Sequence, residues 1–227
     1  MPQKETARTV RIPIPISRLA GEMKAFPKKT ILYSPESAGS IDTIFFMRTG
    51  MVIEVEQVSS THRLTQIYGP GDFVGLETIH GRPRYMVTAA AAADTEVIPL
   101  QKVAVEAAIS SDLAFANFFN AALGKIAARQ YERLRAITTL PTAIRRLAWA
   151  LLDLEDRLGI IDGEDVVTPG ITHEALSGIT GTTREQVTLD MKLLREQKLI
   201  QYSRRNIRIL VPVKLAEMAG LETDGRP

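Results

Sequence analysis

The 227-residue chain is long enough for a sensing domain joined to a second, smaller domain, and its 45% hydrophobic and 24% charged composition is that of a globular protein. The formal net charge of +2 says little about nucleic-acid partners, but the absence of cysteine excludes disulfides, zinc–thiolate sites and cysteine-ligated iron–sulfur clusters. The sequence contains no run of about 18 apolar residues and no signal-peptide core, so we expect a cytoplasmic protein without a membrane partner.

The stretch from Thr43 to Leu100 carries short apolar or alternating runs, a pattern that predicts β-strands. Turn signals at Gly69–Asp72 and Gly81–Pro83 keep these segments short, which favours a β-sandwich or roll over an α/β sheet. The alanine run at 89–93 is an exception, because propensity alone predicts a helix there. We assign residues 1–110 to this first domain.

Near Ser110 the apolar spacing changes to alternating steps of four and three, which predicts a long helix with a narrow seam of the kind shared in a coiled coil. Asp112 is suited to the start of this helix, and Pro141 marks its end. We assign residues 111–138 to it and expect a homodimer. The predicted dimer interface consists of Phe119, Leu123, Ala127, Gln130, Leu134 and Ile137. The alternative is that the helix packs only on its own β-domain.

Residues 139–227 are predicted to form a separate small domain. An amphipathic helix at Arg145–Leu154 contains the only tryptophan, and a loop from Gly159 to Gly170 follows it. From Ile171 to Leu194 the pattern then indicates two helices joined by a turn at Gly181. Thr172 can cap the first helix, and Thr183 can cap the second at capping-box spacing from Gln186.

The second of these helices has one apolar and one polar face. Val187, Met191 and Leu194 share the apolar face, and a polar N-terminal face is what a recognition helix presents to the major groove of DNA. The predicted base-reading residues are Arg184, Glu185, Thr188 and Leu189. Arginine can pair with guanine, and glutamate can accept a hydrogen bond from cytosine. Predicted contacts with the DNA backbone come from Thr172, Thr183 and Lys192.

The segment 199–211 predicts a β-hairpin whose tip carries Arg204 and Arg205, two further predicted backbone contacts. Between residues 184 and 208 there are seven basic side chains and three acidic ones. A charge run alone is usually a solvated surface, and a helix-turn-helix pattern alone can be a simple packing unit. The helix pair and the basic hairpin together predict a winged helix-turn-helix that binds double-stranded DNA.

In this order, the β-domain, long helix and winged helix resemble the CRP/FNR family of transcription regulators over residues 29–215. The most specific pieces are Gly69–Gly75, similar to the family's turn beside the effector pocket, and Ile171–Leu199. The resemblance implies an α+β fold: an antiparallel β-roll of the cyclic-nucleotide-binding jelly-roll type, a dimerisation helix and a winged helix-turn-helix. It also implies a homodimer that binds palindromic promoter DNA, an effector in the β-roll, and recruitment of RNA polymerase.

The effector pocket departs from the cyclic-AMP-binding members of this family. Leu76 stands where they have a ribose-binding glutamate, and Tyr85 and Met86 replace the arginine and serine at the cyclic phosphate. A shifted alignment would return Arg82 or Arg84 to the phosphate. We therefore expect a small-molecule effector other than cyclic AMP, and the small alanines favour an apolar or aromatic compound. The predicted pocket residues are Gly75, Leu76, Arg84, Tyr85, Met86, Ala89 and Tyr131.

Alternatives stay open for the sensing domain. Haem-dependent gas sensing would use His80 or Pro2 as a ligand, as related carbon-monoxide sensors do, and a constitutive regulator would need no effector. The sequence offers no catalytic or metal-ligand set, so we do not expect an enzyme. A cyclic-nucleotide-binding regulatory subunit without DNA function would lack the basic hairpin. Leu189 stands where many members have a second arginine, which predicts an altered half-site there.

Overall fold

The structure is a computed structural model that describes residues 9–19, 21–37, 42–58, 61–79, 84–162, 165–203 and 206–221. The chain divides into two units that meet along the sequence between Arg129 and Gln130. Because this point lies inside the long helix, each unit receives part of that helix. Among the described residues, no helix has both the length and the apolar character that a membrane span requires.

The N-terminal unit contains two four-stranded antiparallel sheets. Its strands are β1 (Lys24–Phe26), β2 (Ile31–Tyr33), β3 (Thr43–Thr49), β4 (Val52–Val58), β5 (Thr61–Tyr68), β6 (Phe73–Val74), β7 (Thr88–Ala91) and β8 (Thr95–Gln101). One sheet has the order β1–β8–β3–β6, and the other has the order β2–β7–β4–β5. This arrangement confirms the predicted antiparallel β-roll.

Two helices precede the long helix: α1 (Ile14–Ser17) and α2 (Lys102–Ser111). A single 3₁₀ turn, Leu76–Thr78, follows β6. Helix α2, at the end of the predicted β-domain, was not predicted from the sequence. Val105 is its one fully buried residue, so burial imposes little apolar period on this segment.

The alanine run forms a strand although its propensity favours helix. Strand β7 pairs with β2 on one side and with β4 on the other, and Ala89 and Ala91 are buried. Hydrogen bonding to two neighbours and burial outweigh the weak intrinsic preference of alanine. Ala92 and Ala93 lie beyond the end of the strand.

The long helix α3 spans Leu113–Thr139, close to the predicted limits. Asp112 caps it, because its Oδ1 accepts hydrogen bonds from the amides of Ala114 at 2.9 Å and Phe115 at 3.1 Å. Each cap bond satisfies an amide that has no partner within the helix. Asp112 therefore lies at the start of the helix as predicted, and the helix begins two residues after the predicted limit of residue 111.

The first part of α3 packs on its own β-roll. Phe119 is only 2% exposed and meets the Phe73 ring edge-on in the core, and Leu123 packs against the same cluster. The prediction of Phe119 as a dimer contact is wrong, because its side chain is already covered within the chain. An apolar seam on a helix can face a partner helix or the chain's own β-domain. In this part of α3 the seam faces the chain's own β-domain.

The C-terminal unit combines helices with a four-stranded antiparallel sheet of order β11–β12–β10–β9, which confirms the predicted winged-helix architecture. Its helices are α4 (Ala143–Leu158), α5 (His173–Thr180), α6 (Arg184–Glu196) and α7 (Pro212–Met218), and its strands are β9 (Ile160–Asp162), β10 (Asp165–Pro169), β11 (Ile200–Tyr202) and β12 (Asn206–Ile209). The predicted loop from Gly159 to Gly170 is wrong, because β10 is paired by β9 and by β12.

Candidate nucleic-acid interface

Helices α5 and α6 are joined by the turn at Gly181, as the sequence predicts. Thr172 caps α5 by accepting a hydrogen bond from the amide of Ala175, and Thr183 caps α6 by accepting one from the amide of Gln186, both at 3.1 Å. Gly181 has a left-handed backbone with φ of 62°, which favours glycine. The two caps and this turn fix where α6 begins.

Helix α6 has the two faces that the sequence predicts. Val187, Met191 and Leu194 are buried in the core of the C-terminal unit. The side chains predicted to contact DNA from this helix are all exposed: Arg184, Glu185, Thr188, Leu189 and Lys192. Leu189 is 62% exposed on the same face, so its side chain is available to a ligand.

Thr188 on α6 is hydrogen-bonded on two sides. Its Oγ donates to the carbonyl of Arg184 at 2.9 Å and lies 2.9 Å from Nδ1 of His173, the first residue of α5. The His173 ring also meets Tyr202 of β11 edge-on, with ring centroids 6.1 Å apart. This contact of His173 was not predicted from the sequence. Its spacing of fifteen residues from Thr188 gives no signal in the sequence.

Two arginines bind the last carbonyls of α5. Arg133 of α3 donates to the carbonyls of Gly178 at 2.7 Å and Ile179 at 3.3 Å, and Arg146 of α4 donates to that of Thr180 at 2.8 Å. Cations at this end complement the helix dipole and satisfy carbonyls that have no partner within the helix. Burial lowers the pKa of Arg133. These two arginines anchor the C-terminal end of α5 to α3 and α4, and they were not predicted.

Ile137, a predicted dimer contact, lies within the C-terminal unit. A Cβ at Gly181 would sit 3.4 Å from its side chain, so Ile137 packs against the turn between α5 and α6. Ala127, Gln130 and Leu134 remain exposed on α3. The structure therefore leaves three of the six seam residues available to a partner.

The wing is described up to its tip. Strands β11 and β12 pair, and the amide of Ser203 donates to the carbonyl of Asn206 at 2.8 Å across the turn. Arg204 and Arg205 lie outside the described residues, so their predicted contacts with DNA stay predictions. Arg195 lies over the Tyr202 ring, with its guanidinium carbon 5.3 Å from the ring centroid. This contact places a cation at the base of the wing.

In the β-roll, part of the predicted effector pocket comes together. Tyr85 stacks on Tyr33 with centroids 3.8 Å apart, and Ala89 is buried in the same cluster. Gly75 has φ of 86°, and a Cβ there would lie 3.5 Å from each of the two rings. Glycine thus suits both the left-handed backbone and the close approach of the rings.

The remaining predicted pocket residues do not join this cluster. Leu76 packs against the other core cluster, around Phe46 and Phe73, because the 3₁₀ turn directs it there. Arg84 and Met86 are exposed. Tyr131, 65% exposed, belongs to the part of α3 in the C-terminal unit. Their assignment to an effector pocket remains a prediction.

A buried carboxyl group that was not predicted from the sequence lies beside the tyrosine stack. Glu54 of β4 accepts hydrogen bonds from the hydroxyls of Tyr33 at 2.6 Å and Tyr68 at 3.0 Å, and it is 6% exposed. Burial raises its pKa to about 7, although both phenol hydrogen bonds favour the charged form. Burial also raises the pKa of Tyr85 to about 12.

The turn Gly69–Asp72 is tied to α3 within the N-terminal unit. Asp72 is nearly buried, and its Oδ1 lies 2.6 Å from the guanidinium of Arg129. Its other oxygen accepts a hydrogen bond from the amide of Gly69 at 2.9 Å. The motif that carries the family resemblance is therefore structurally coupled to the long helix.

His80 and Pro2, the haem ligands considered in the sequence, lie outside the described residues. Within the described ranges, no three histidine, aspartate or glutamate side chains come close enough to hold a metal ion.

Comparisons with known proteins agree with this architecture. A protein-family profile described as a Crp-like helix-turn-helix domain matches residues 145–218. The chain is 27% identical over 209 residues to the transcriptional regulator SdrP of Thermus thermophilus, covering 90% of this chain and 98% of SdrP.

Among solved structures, a CRP/FNR-family transcriptional regulator of Thermus thermophilus superposes with a TM-score of 0.71 at 25% identity, covering 88% of this chain and 98% of that one. FixK2 of Bradyrhizobium japonicum shares the fold, with a TM-score of 0.74 at 20% identity, covering 87% of this chain and 96% of its own.

Proposed function

We propose that this chain, a transcription regulator of the CRP/FNR type by its Crp-like helix-turn-helix domain and the proteins it is similar to, binds palindromic promoter DNA as a homodimer through helix α6. The observation that carries this proposal is the capped helix pair, in which α6 buries its apolar face and exposes Arg184, Glu185 and Thr188 beside each other. Such a face supplies donors and acceptors that match base edges in the major groove.

Selection of duplexes from a random pool by the full-length protein tests this function. We expect two inverted half-sites whose centres lie about one helical turn apart. Each half-site should keep the base pair that Arg184 and Glu185 read and differ from the family's usual sequence at the position facing Leu189. Affinity should fall steeply with salt, as phosphate contacts require. Recovery of no preferred sequence would refute the proposal, and recovery of the usual half-site would refute the role of Leu189.

The dimer is proposed to form along α3, displaced by about one residue from the predicted seam. Exposed residues recur at steps of four and three along one face of the helix: Asn120, Gly124, Ala127, Tyr131 and Leu134. The small residues among them allow two helices to approach closely, and Tyr131 and Leu134 supply apolar area. This stripe keeps Ala127 and Leu134 from the predicted seam.

We expect Leu134→Asp to dissociate the dimer. Leu134 is 60% exposed, and covering it on each of two protomers contributes about 1.5–3 kcal/mol per side chain, so its loss weakens association by at least about tenfold. Sedimentation velocity measures the change. Val103→Asp is the matched control, because Val103 is 72% exposed on α2, away from the stripe. Equal dimer stability in both variants would contradict the interface.

We further propose that a small-molecule effector controls DNA binding from the β-roll, at the tyrosine stack of Tyr33 and Tyr85 beside Gly75. The aromatic rings and the small side chain of Ala89 favour an aromatic compound. Tyr85 and Met86, which stand in place of the arginine and serine at the cyclic phosphate, argue against cyclic AMP. Titration of the effector-free protein with aromatic compounds, read out as DNA affinity in wild type and Tyr85→Ala, tests this. An identical response in both proteins would place the effector elsewhere. Recruitment of RNA polymerase remains an expectation from the family.

A further inference from the structure

Helices α5 and α6 with strands β11 and β12 are called the reading head below. His173 lies where three of these elements meet. It is the first residue of α5, its Nδ1 is 2.9 Å from the Thr188 hydroxyl on α6, and its ring touches Tyr202 of β11. Thr188 is on the exposed face of α6 that also carries Arg184. The imidazole is therefore next to the surface proposed to enter the groove, and it is only partly buried.

The hydrogen bonds of Thr188 indicate the protonation of the ring. A hydroxyl has one proton, and Thr188 donates it to the Arg184 carbonyl at 2.9 Å. In the bond with His173, Thr188 is then the acceptor and Nδ1 carries the proton. Nε2 is left as the ring nitrogen with no hydrogen-bond partner among the described residues. It is the atom available to a ligand outside the protein.

Among the described residues, the charge that acts on the ring is the positive charge of Arg184. Arg184 approaches it from α6, and Arg195, also on α6, lies over Tyr202, the ring that β11 places against it. Burial and, second, the charge of Arg184 lower the pKa of His173, so the ring is neutral in the free protein at neutral pH. A phosphate oxygen near Nε2 would act in the opposite direction, because a nearby anion stabilises the imidazolium.

From this geometry we propose that His173 contacts a DNA phosphate through Nε2 as an imidazolium, so that DNA binding takes up a proton at each reading head. The inference rests on the proposed DNA binding and adds a contact to it. It makes this regulator's affinity for DNA dependent on pH. Because a phosphate contact carries no sequence information, the effect should be the same on every duplex.

The sign of the effect follows from the two states. The free protein holds the proton weakly and the DNA-bound protein holds it more tightly, so affinity rises as pH falls through this range. If the phosphate raises the proton affinity of His173 about tenfold, binding becomes about tenfold tighter per reading head once the pH is below the pKa of the free imidazole.

The experiment measures affinity against pH for the selected duplex and for a scrambled duplex of the same length. The variants are His173→Asn, whose amide can keep the Thr188 contact without titrating, and His173→Arg, which is always charged. We expect a flat profile for both, with the arginine variant adding about one to the salt slope. The matched control is His62→Asn in β5, which should keep the wild-type profile.

Each outcome decides the matter. Binding that depends on pH equally in wild type and His173→Asn overturns the inference and leaves the proposed function intact, whereas failure to bind any duplex at any pH overturns both. An NMR titration of the His173 imidazole gives a readout that a purely structural role would not change: its pKa should rise when the selected duplex is added. An unchanged pKa would overturn the proton uptake.

Discussion

Replacing Arg184 with alanine is expected to weaken binding to the selected duplex by about 1–3 kcal/mol and to relax the base preference at one position of each half-site. Arg184 is exposed at the first position of α6, just after the cap that Thr183 provides, and alanine is a good helix former, so the fold should be unchanged. The loss therefore reports a contact with DNA. Fluorescence anisotropy on the selected duplex and on its point variants measures both effects.

Two further variants separate base reading from charge. Arg184→Lys keeps the charge but loses the paired donors that match guanine, so it should still relax the base preference. Lys192→Ala should weaken binding to all duplexes alike and reduce the salt slope by about one, as expected for a phosphate contact. If Arg184→Ala lowered affinity equally for every sequence, Arg184 would be a backbone contact and the assignment of the base reader would be wrong.

Replacing Glu54 with glutamine is expected to remove a stability change of about 3 kcal/mol between pH 4.5 and about 7. In the folded protein burial raises the pKa of Glu54 to about 7, above the ordinary value of 4.5. The folded state thus binds the proton more tightly than the unfolded state. The stability that this carboxyl contributes is fully present below pH 4.5 and is lost as pH rises through about 7.

Glutamine stays neutral over this whole range and can still hydrogen-bond with Tyr33 and Tyr68. The Glu54→Gln variant should therefore be more stable than wild type above about pH 7. Glu56→Gln is the matched control, because Glu56 is two residues further along β4 and exposed. Chemical denaturation at a series of pH values measures the free energy of unfolding. Parallel pH profiles for wild type and Glu54→Gln would show that Glu54 does not titrate in this range.

The buried carboxyl also bears on the proposed effector site. Glu54 and the hydroxyls of Tyr33 and Tyr68 form a polar cluster next to the ring stack proposed for the effector. Period-two alternation along β4 would assign its glutamates to solvent, yet Glu54 shares the inward face with Val52. Only the neighbouring tyrosines, which come from β2 and β5, make this burial possible.

The reading head was the most predictable part of the molecule. Caps at Thr172 and Thr183 and the glycine turn involve residues within four positions of each other, so their chemistry is encoded locally. The two faces of α6 follow from the helical period, which the sequence displays directly. For the same reason Asp112 identified the start of α3.

Contacts between distant residues could not be predicted in this way. An apolar seam on α3 is compatible with a partner helix or with the chain's own core, and only the position of the β-roll showed that Phe119 belongs to the core. The pairing of β10 with β12 joins residues about forty positions apart, so the segment after Gly159 looked like a loop. The arginines that bind the end of α5 come from α3 and α4 and leave no local pattern.

The sequence by itself determined the order of the domains, the caps and the exposed face of α6, because each depends on the local backbone and on periodic burial. The tertiary structure decided which long-range neighbours each side chain has. It brought His173 against Thr188, buried Glu54 between two tyrosines and covered Phe119. Hydrogen-bond partners and desolvation are properties of these neighbourhoods. They shift the pKa values of His173 at the start of α5 and of Glu54 in β4.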